Sequence, residues 1–153
     1  MTELTLQRLK DAGWTPGRKV DITPIEAAYA DAGMQIPDKL REFLDEFGLL
    51  AIRYEEKYSD FVKKEGHYIN PCVDFLNYGK VDYKHLLAPY GVPGAVFPVG
   101  FAHRGNMKIY YHENGCFYLF MEGGPLYYCG DTAESLFNGL IGGDRSEWDC
   151  LFH

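Results

Sequence analysis

The hydrophobic period of this chain changes along its length, and that change restricts the fold more than any single motif does. After Pro37, Leu40, Phe43, Leu44 and Phe47 recur at i, i+3, i+4 and i+7, with Asp38, Arg41, Glu42 and Asp45 mostly opposite. This spacing predicts an amphipathic helix closed by Gly48. Further on, the β-rich runs Met107–His112 and Cys116–Met121 flank Glu113-Asn114-Gly115. Asn-Gly between two such runs predicts a hairpin, because a tight primed turn needs positive φ at its central residues. A chain with helices first and antiparallel strands afterwards belongs to the α+β class.

The remaining segments extend this reading. Leu6, Leu9 and Lys10 suggest a short opening helix stopped at Gly13. Thr23-Pro24-Ile25-Glu26 has the form of a capping box with Pro at the first helical position, predicting a helix that ends at Gly33. Leu49–Tyr54 reads as a central strand, and residues 55–70 as a polar loop or edge. Short helices are expected from Asn70 through Leu76 and from Tyr83 to Leu87. Ala95–Val99 is a candidate strand that Pro98 places at an edge or a strand end. Gly123-Gly124-Pro125 turns the chain into Leu126–Cys129, giving a meander, and Asp131-Thr132-Ala133-Glu134 opens a closing helix that carries Leu136, Phe137, Leu140 and Ile141. Residues 144–153 read as a short tail. The expectation is one domain over residues 1–153: N-terminal helices, a central antiparallel meander sheet and a closing C-terminal helix.

Charge and cysteine usage narrow the function. The net charge of −7 argues against nucleic acid or an anionic membrane as partner, since phosphate contacts need Lys and Arg. It permits a basic protein partner. Met1-Thr2-Glu3-Leu4 lacks the pattern of a secretory signal, and no apolar run approaches the roughly 20 residues of a bilayer span. Cys72, Cys116, Cys129 and Cys150 are widely spaced, as reduced thiols of a cytoplasmic protein would be.

No catalytic or metal-binding motif appears. Gly13 to Gly17 lacks the Lys-Ser/Thr of a phosphate loop, and Gly142-Gly143 follows a helix instead of leading one. His67, His85, His103, His112 and His153 are scattered, although His103 and His112 could approach across neighbouring strands. No G-x-S-x-G elbow occurs. The expectation is therefore no catalytic residue, no metal and no cofactor. A small Cys/His-dependent hydrolase would require Cys116, Cys129, His103 and His112 to converge in one pocket.

The aromatic share of 16%, with 12 tyrosines, points elsewhere. Tyr54, Glu55, Glu56, Tyr58, Asp60 and Phe61 interleave rings with acids directly after the first strand. Tyr is enriched at interfaces because it buries area at little entropic cost and keeps a polar handle. These six residues are the candidate partner-binding stretch. The competing reading gives half of the rings to the core and leaves the acids solvated.

Ala12-Gly13-Trp14-Thr15-Pro16-Gly17-Arg18-Lys19-Val20-Asp21 resembles the N-terminal signature of the third branch of the SUKH superfamily. Phe43-Leu44-Asp45-Glu46-Phe47-Gly48-Leu49-Leu50, Pro98-Val99-Gly100, and Gly130 through Gly143 resemble further motifs of that branch, in order, over about residues 4–143. The resemblance implies an α+β fold and an immunity protein that binds a cognate polymorphic toxin domain, often a nuclease or deaminase, in the cytoplasm. Related eukaryotic members imply an alternative, a regulatory protein-interaction adaptor. The family supplies no catalytic residues. Its motif residues read as scaffold, with Trp14 stapling the first helix to the sheet and Asp21 or Thr23 capping the next helix, while residues 55–70 match none of its motifs.

Overall fold

The computed structural model describes residues 1–72 and 81–153. Three helices come first: α1 (Glu3–Asp11), α2 (Thr23–Asp31) and α3 (Asp38–Phe47). Seven strands follow in an antiparallel sheet whose order is the order of the chain: β1 (Ala51–Lys57), β2 (Val62–Tyr68), β3 (Val96–Ala102), β4 (Met107–His112), β5 (Phe117–Phe120), β6 (Leu126–Tyr128) and β7 (Asp149–Phe152). Helix α4 (Ala133–Ile141) lies between β6 and β7 in sequence. The α+β meander with a helix near its C-terminus is as expected.

The apolar stripe of α3 is buried at Leu40, Phe43, Leu44 and Phe47. It packs with residues of α1, α2 and α4 on one face of the sheet, where Ile52, Ile109, Tyr111, Phe117 and Leu119 point inward. On the opposite face Tyr110, Tyr118, Phe120 and Leu126 form a second, smaller core with Leu87, Val92 and Val96. Trp14 stacks on Phe47 with centroids 6.0 Å apart, and its Nε1–H donates to Glu46 Oε2 at 3.0 Å. It therefore fastens the end of α1 to α3, where a staple to the sheet was expected. Arg18 donates to the Glu46 and Gly48 carbonyls at 2.6 and 2.9 Å, capping the C-terminus of α3. Helices α1 and α4 are joined through Asn138 Oδ1, which accepts from the Thr2 backbone N–H and the Thr5 hydroxyl.

Several expectations are corrected. Helix α2 starts as expected but without a capping box: Asp21 Oδ1 accepts from both the N–H and the hydroxyl of Thr23, while the Glu26 carboxylate accepts from Arg41 Nε. The strand expected at Leu49 begins at Ala51, because Leu49 is left-handed at φ 65; it continues to Lys57 and lies at the edge of the sheet, where a central strand was expected. The polar stretch 55–70 is largely strand, with β2 paired along its whole length to β1, which is the sheet edge. Residues 83–87 form turns that lead into a 3-10 turn, Ala88–Tyr90, in place of a helix. The tail contains β7, which pairs with β6. Most of the helix expected from Asn70 to Leu76 falls on residues 73–80, outside the described residues.

Pro98 is tolerated within the sheet for a local reason. Strand β2 meets β3 at one register pair, Tyr68↔Phe101, so the Pro98 end of β3 has ladder partners on β4 alone, and a register shift follows between Pro98 and Gly100. The Pro98 carbonyl accepts the Tyr29 hydroxyl of α2. Gly100 is required by close approach: a Cβ there would collide with the Tyr68 carbonyl oxygen, which is backbone and cannot swing aside. Gly100→Ala is expected to destabilise the fold by roughly 1–3 kcal/mol, read as a lower urea midpoint. An unchanged midpoint would contradict this packing.

Candidate functional site

The β1–β2 hairpin carries the stretch singled out in the sequence. Its strands are joined by a turn in which the Tyr58 N–H donates to the Phe61 carbonyl at 2.8 Å. Alternation along β1 divides the candidate residues between faces. Tyr54 and Glu56 lie on the helix-facing side with Ile52, whereas Glu55 lies on the outer face with Arg53 and Lys57. Tyr54 is half-buried beneath the Arg8 guanidinium, 3.6 Å from its ring centroid, and burial pushes its phenol up to about 12. Glu56 lies 3.9 Å from Arg8 and accepts the Tyr58 hydroxyl at 2.7 Å.

The tip differs from the strands. Tyr58 and Phe61 stack with centroids 4.7 Å apart, yet they are 49% and 58% exposed, and the neighbouring Val62 is 51% exposed. Two stacked rings held in solvent by a short turn are an apolar surface without a folded-state reason for exposure. Asp60 is exposed beside them. The structure thus brings Tyr58, Asp60 and Phe61 together at the tip, where the Tyr58 hydroxyl ties them to Glu56 of the braced pair Tyr54 and Glu56.

Sequence reasoning missed a polar cluster behind the hairpin. Glu65 and His67 alternate on β2 and face inward, and both are buried. Glu65 Oε2 is 2.6 Å from His103 Nδ1 and 3.6 Å from Lys63 Nζ. His67 Nδ1 accepts the His103 backbone N–H at 3.2 Å, so its proton sits on Nε2 and points to Tyr54 Oη at 3.0 Å. Burial pushes the His67 imidazole down to about 3, keeping it neutral. Burial works against ionised Glu65, but the hydrogen bond and charge of His103, with Lys63, outweigh it and hold the carboxyl below its ordinary range. The signal in the sequence is Glu65-Gly66-His67, a spacing that shares a face only on a strand.

Three non-glycine residues have left-handed backbone among the described residues: Leu49 at φ 65, and His103 at φ 51 and Arg104 at φ 59 in the turn after β3. Each such conformation costs of order 1–3 kcal/mol. His103 uses it to present its ring to Glu65, and Leu49 and Arg104 line a cleft of about 450 Å³ with Tyr68 and Phe101. On the inner side, a cavity of about 460 Å³ is lined by Arg8, Tyr54, Lys63, Glu65, His103 and Arg145, among others. Arg8 and Arg145 there donate to the Ile141 and Gly139 carbonyls at the end of α4.

The residues a Cys/His hydrolase would need do not meet. His103 is committed to Glu65, while His112 has Nε2 2.7 Å from the Pro93 carbonyl and Nδ1 accepting the Asn114 N–H. Cys116 contacts Tyr128 Oη, and Cys129 contacts the Tyr127 carbonyl. Burial pushes the Cys129 thiol far up, making it a poor nucleophile. The thiol–imidazole contact among the described residues is Cys150 with His153, 3.6 Å apart on the exposed last strand and tail. Thiol-reactive reagent should modify Cys150 rapidly and Cys129 only in denaturant, as peptide mass mapping would show; fast native labelling of Cys129 would contradict its burial.

No helix among the described residues is long and apolar enough to cross a membrane. The model of the family described as SUKH-3 immunity protein matches residues 1–143. The chain belongs to the SUKH-3 immunity protein family. No curated protein and no solved structure matches it.

Proposed function

We propose that this protein neutralises a cognate bacterial polymorphic toxin domain, a nuclease or deaminase, by stoichiometric occlusion in the cytoplasm, without turning over a substrate. The observation that carries this reading is the family match over residues 1–143. Supporting it, Cys116, Cys129, His103 and His112, the residues a Cys/His hydrolase would need together, are each engaged with other partners. The docking surface is the tip of the β1–β2 hairpin: Tyr58 and Phe61 supply the apolar anchor, and Asp60 and Glu55 supply polar contacts at its rim. Tyr54 and Glu56 act from behind, bracing the strand against Arg8.

The partner is basic. The hairpin itself is nearly balanced in charge, since Lys57, Lys63 and Lys64 offset Glu55, Glu56 and Asp60. Attraction at a distance therefore comes from the net charge of −7 spread over the chain. Added salt should slow association more than it speeds dissociation. A regulatory adaptor built on the same scaffold would bind a partner that is not a toxin, so the toxin itself decides between the two readings.

The test is co-expression of this chain with the toxin domain encoded beside it, together with Tyr58→Ala/Phe61→Ala. The native chain is expected to restore growth. The double variant should keep its melting temperature and bind about 10- to 100-fold more weakly, the loss typical of truncating interface anchors. Failure of the native chain to protect would overturn the immunity reading. Full protection and unchanged affinity in the double variant would move the docking surface elsewhere.

A further inference from the structure

We infer that Glu65, His67 and His103 form a binding site for one transition-metal ion of the zinc type, with its open coordination position facing the cavity between the hairpin and α4. The three residues come from two separated parts of the chain, yet their ligand atoms all lie within 4.8 Å of one another. A tetrahedral ion with bonds of about 2.0–2.2 Å needs ligand atoms roughly 3.4 Å apart, which small side-chain rotations reach from here. Two imidazoles and one carboxylate form a set suited to zinc and its neighbours, and three protein ligands leave a fourth place for water or another donor.

Local features favour occupation. His67 turns Nδ1 toward His103, and Tyr54 Oη holds the outer side of its ring at Nε2, as an orienting partner would. His103 reaches Glu65 only through strained backbone, which indicates that the ring's position matters beyond simple packing. Metal entry exchanges the His103–Glu65 contact and the His103 N–H bond to His67 for three coordination bonds. The cations around the cavity do not forbid it. Arg8 and Arg145 are engaged with carbonyls at the end of α4, and Lys63 is 43% exposed and free to swing outward. Their charge instead favours an anionic fourth ligand, such as hydroxide or a carboxylate.

The test uses the full chain carrying Cys150→Ser, because Cys150 and His153 form an exposed zinc trap. After chelator treatment, Zn²⁺ is titrated in competition with a chromophoric chelator, and Co²⁺ binding is followed by absorption. One equivalent should bind with a dissociation constant below about 1 µM. The Co²⁺ complex should show tetrahedral d–d bands without thiolate charge transfer. His103→Ala and Glu65→Gln, each confirmed folded by circular dichroism, should each weaken binding at least 10-fold, beyond the low end of losses seen for outer-shell partners. Binding weaker than about 1 µM, or binding indifferent to both substitutions, would overturn the assignment. Glu65→Gln preserves shape, so the test stands even where His103→Ala perturbs folding.

Discussion

The fold depends on the aromatic column through which α3 meets its surroundings. Phe43 lies 4.9 Å from Phe117 of β5 and 6.0 Å from Phe137 of α4, while Phe47 lies 4.9 Å from Phe137 and 6.0 Å from Trp14. Helix α3 thus joins the end of α1, the closing helix and the middle of the sheet through two side chains one turn apart. Burying rings of this kind contributes roughly 1.5–3 kcal/mol each before geometry is considered. This column explains why turn residues crowd around Trp14. Within a few residues the chain leaves α1, places an indole on Phe47 and Glu46, and caps α3 with Arg18, all before α2 begins.

That concentration of apolar packing leaves the β1–β2 hairpin differently held. It is paired to the rest of the sheet at one register position, Tyr68↔Phe101; Ile52 anchors its base in the core, and farther out it is secured by polar means: Arg8 over Tyr54, and the Glu65–His67–His103 cluster against the turn after β3. A core packed to fit one arrangement resists change. A hairpin fastened by charge and hydrogen bonds can vary at its tip without disturbing that core. The scaffold and the proposed docking surface are separated in this way.

Legibility in the sequence followed the same division. Helix α3 was readable because its stripe of four buried residues has a clean helical period, and the β4–β5 hairpin because Asn114-Gly115 can form only a narrow set of turns. Strand β2 was not, since its inward face carries Lys63, Glu65 and His67 in place of apolar residues, so no alternation marks it. Strand β7 was missed because all four of its residues are exposed. The candidate site was half legible: Tyr58 and Phe61 do stand in solvent. The acids around them, contiguous in sequence, are divided between two faces by strand geometry that was invisible while the segment read as loop. The polar cluster depends on a left-handed histidine 36 residues from its partner His67, and no local pattern announces such a contact.

The most direct test of the central claim, that the hairpin tip binds while the helical scaffold only supports it, is amide hydrogen exchange on the complex with the toxin domain. Bound protein should show slowed exchange in residues 57–62, with α1, α3 and the Trp14 turn unchanged. Protection confined to the helical face, with the hairpin exchanging as it does in the free chain, would contradict the account.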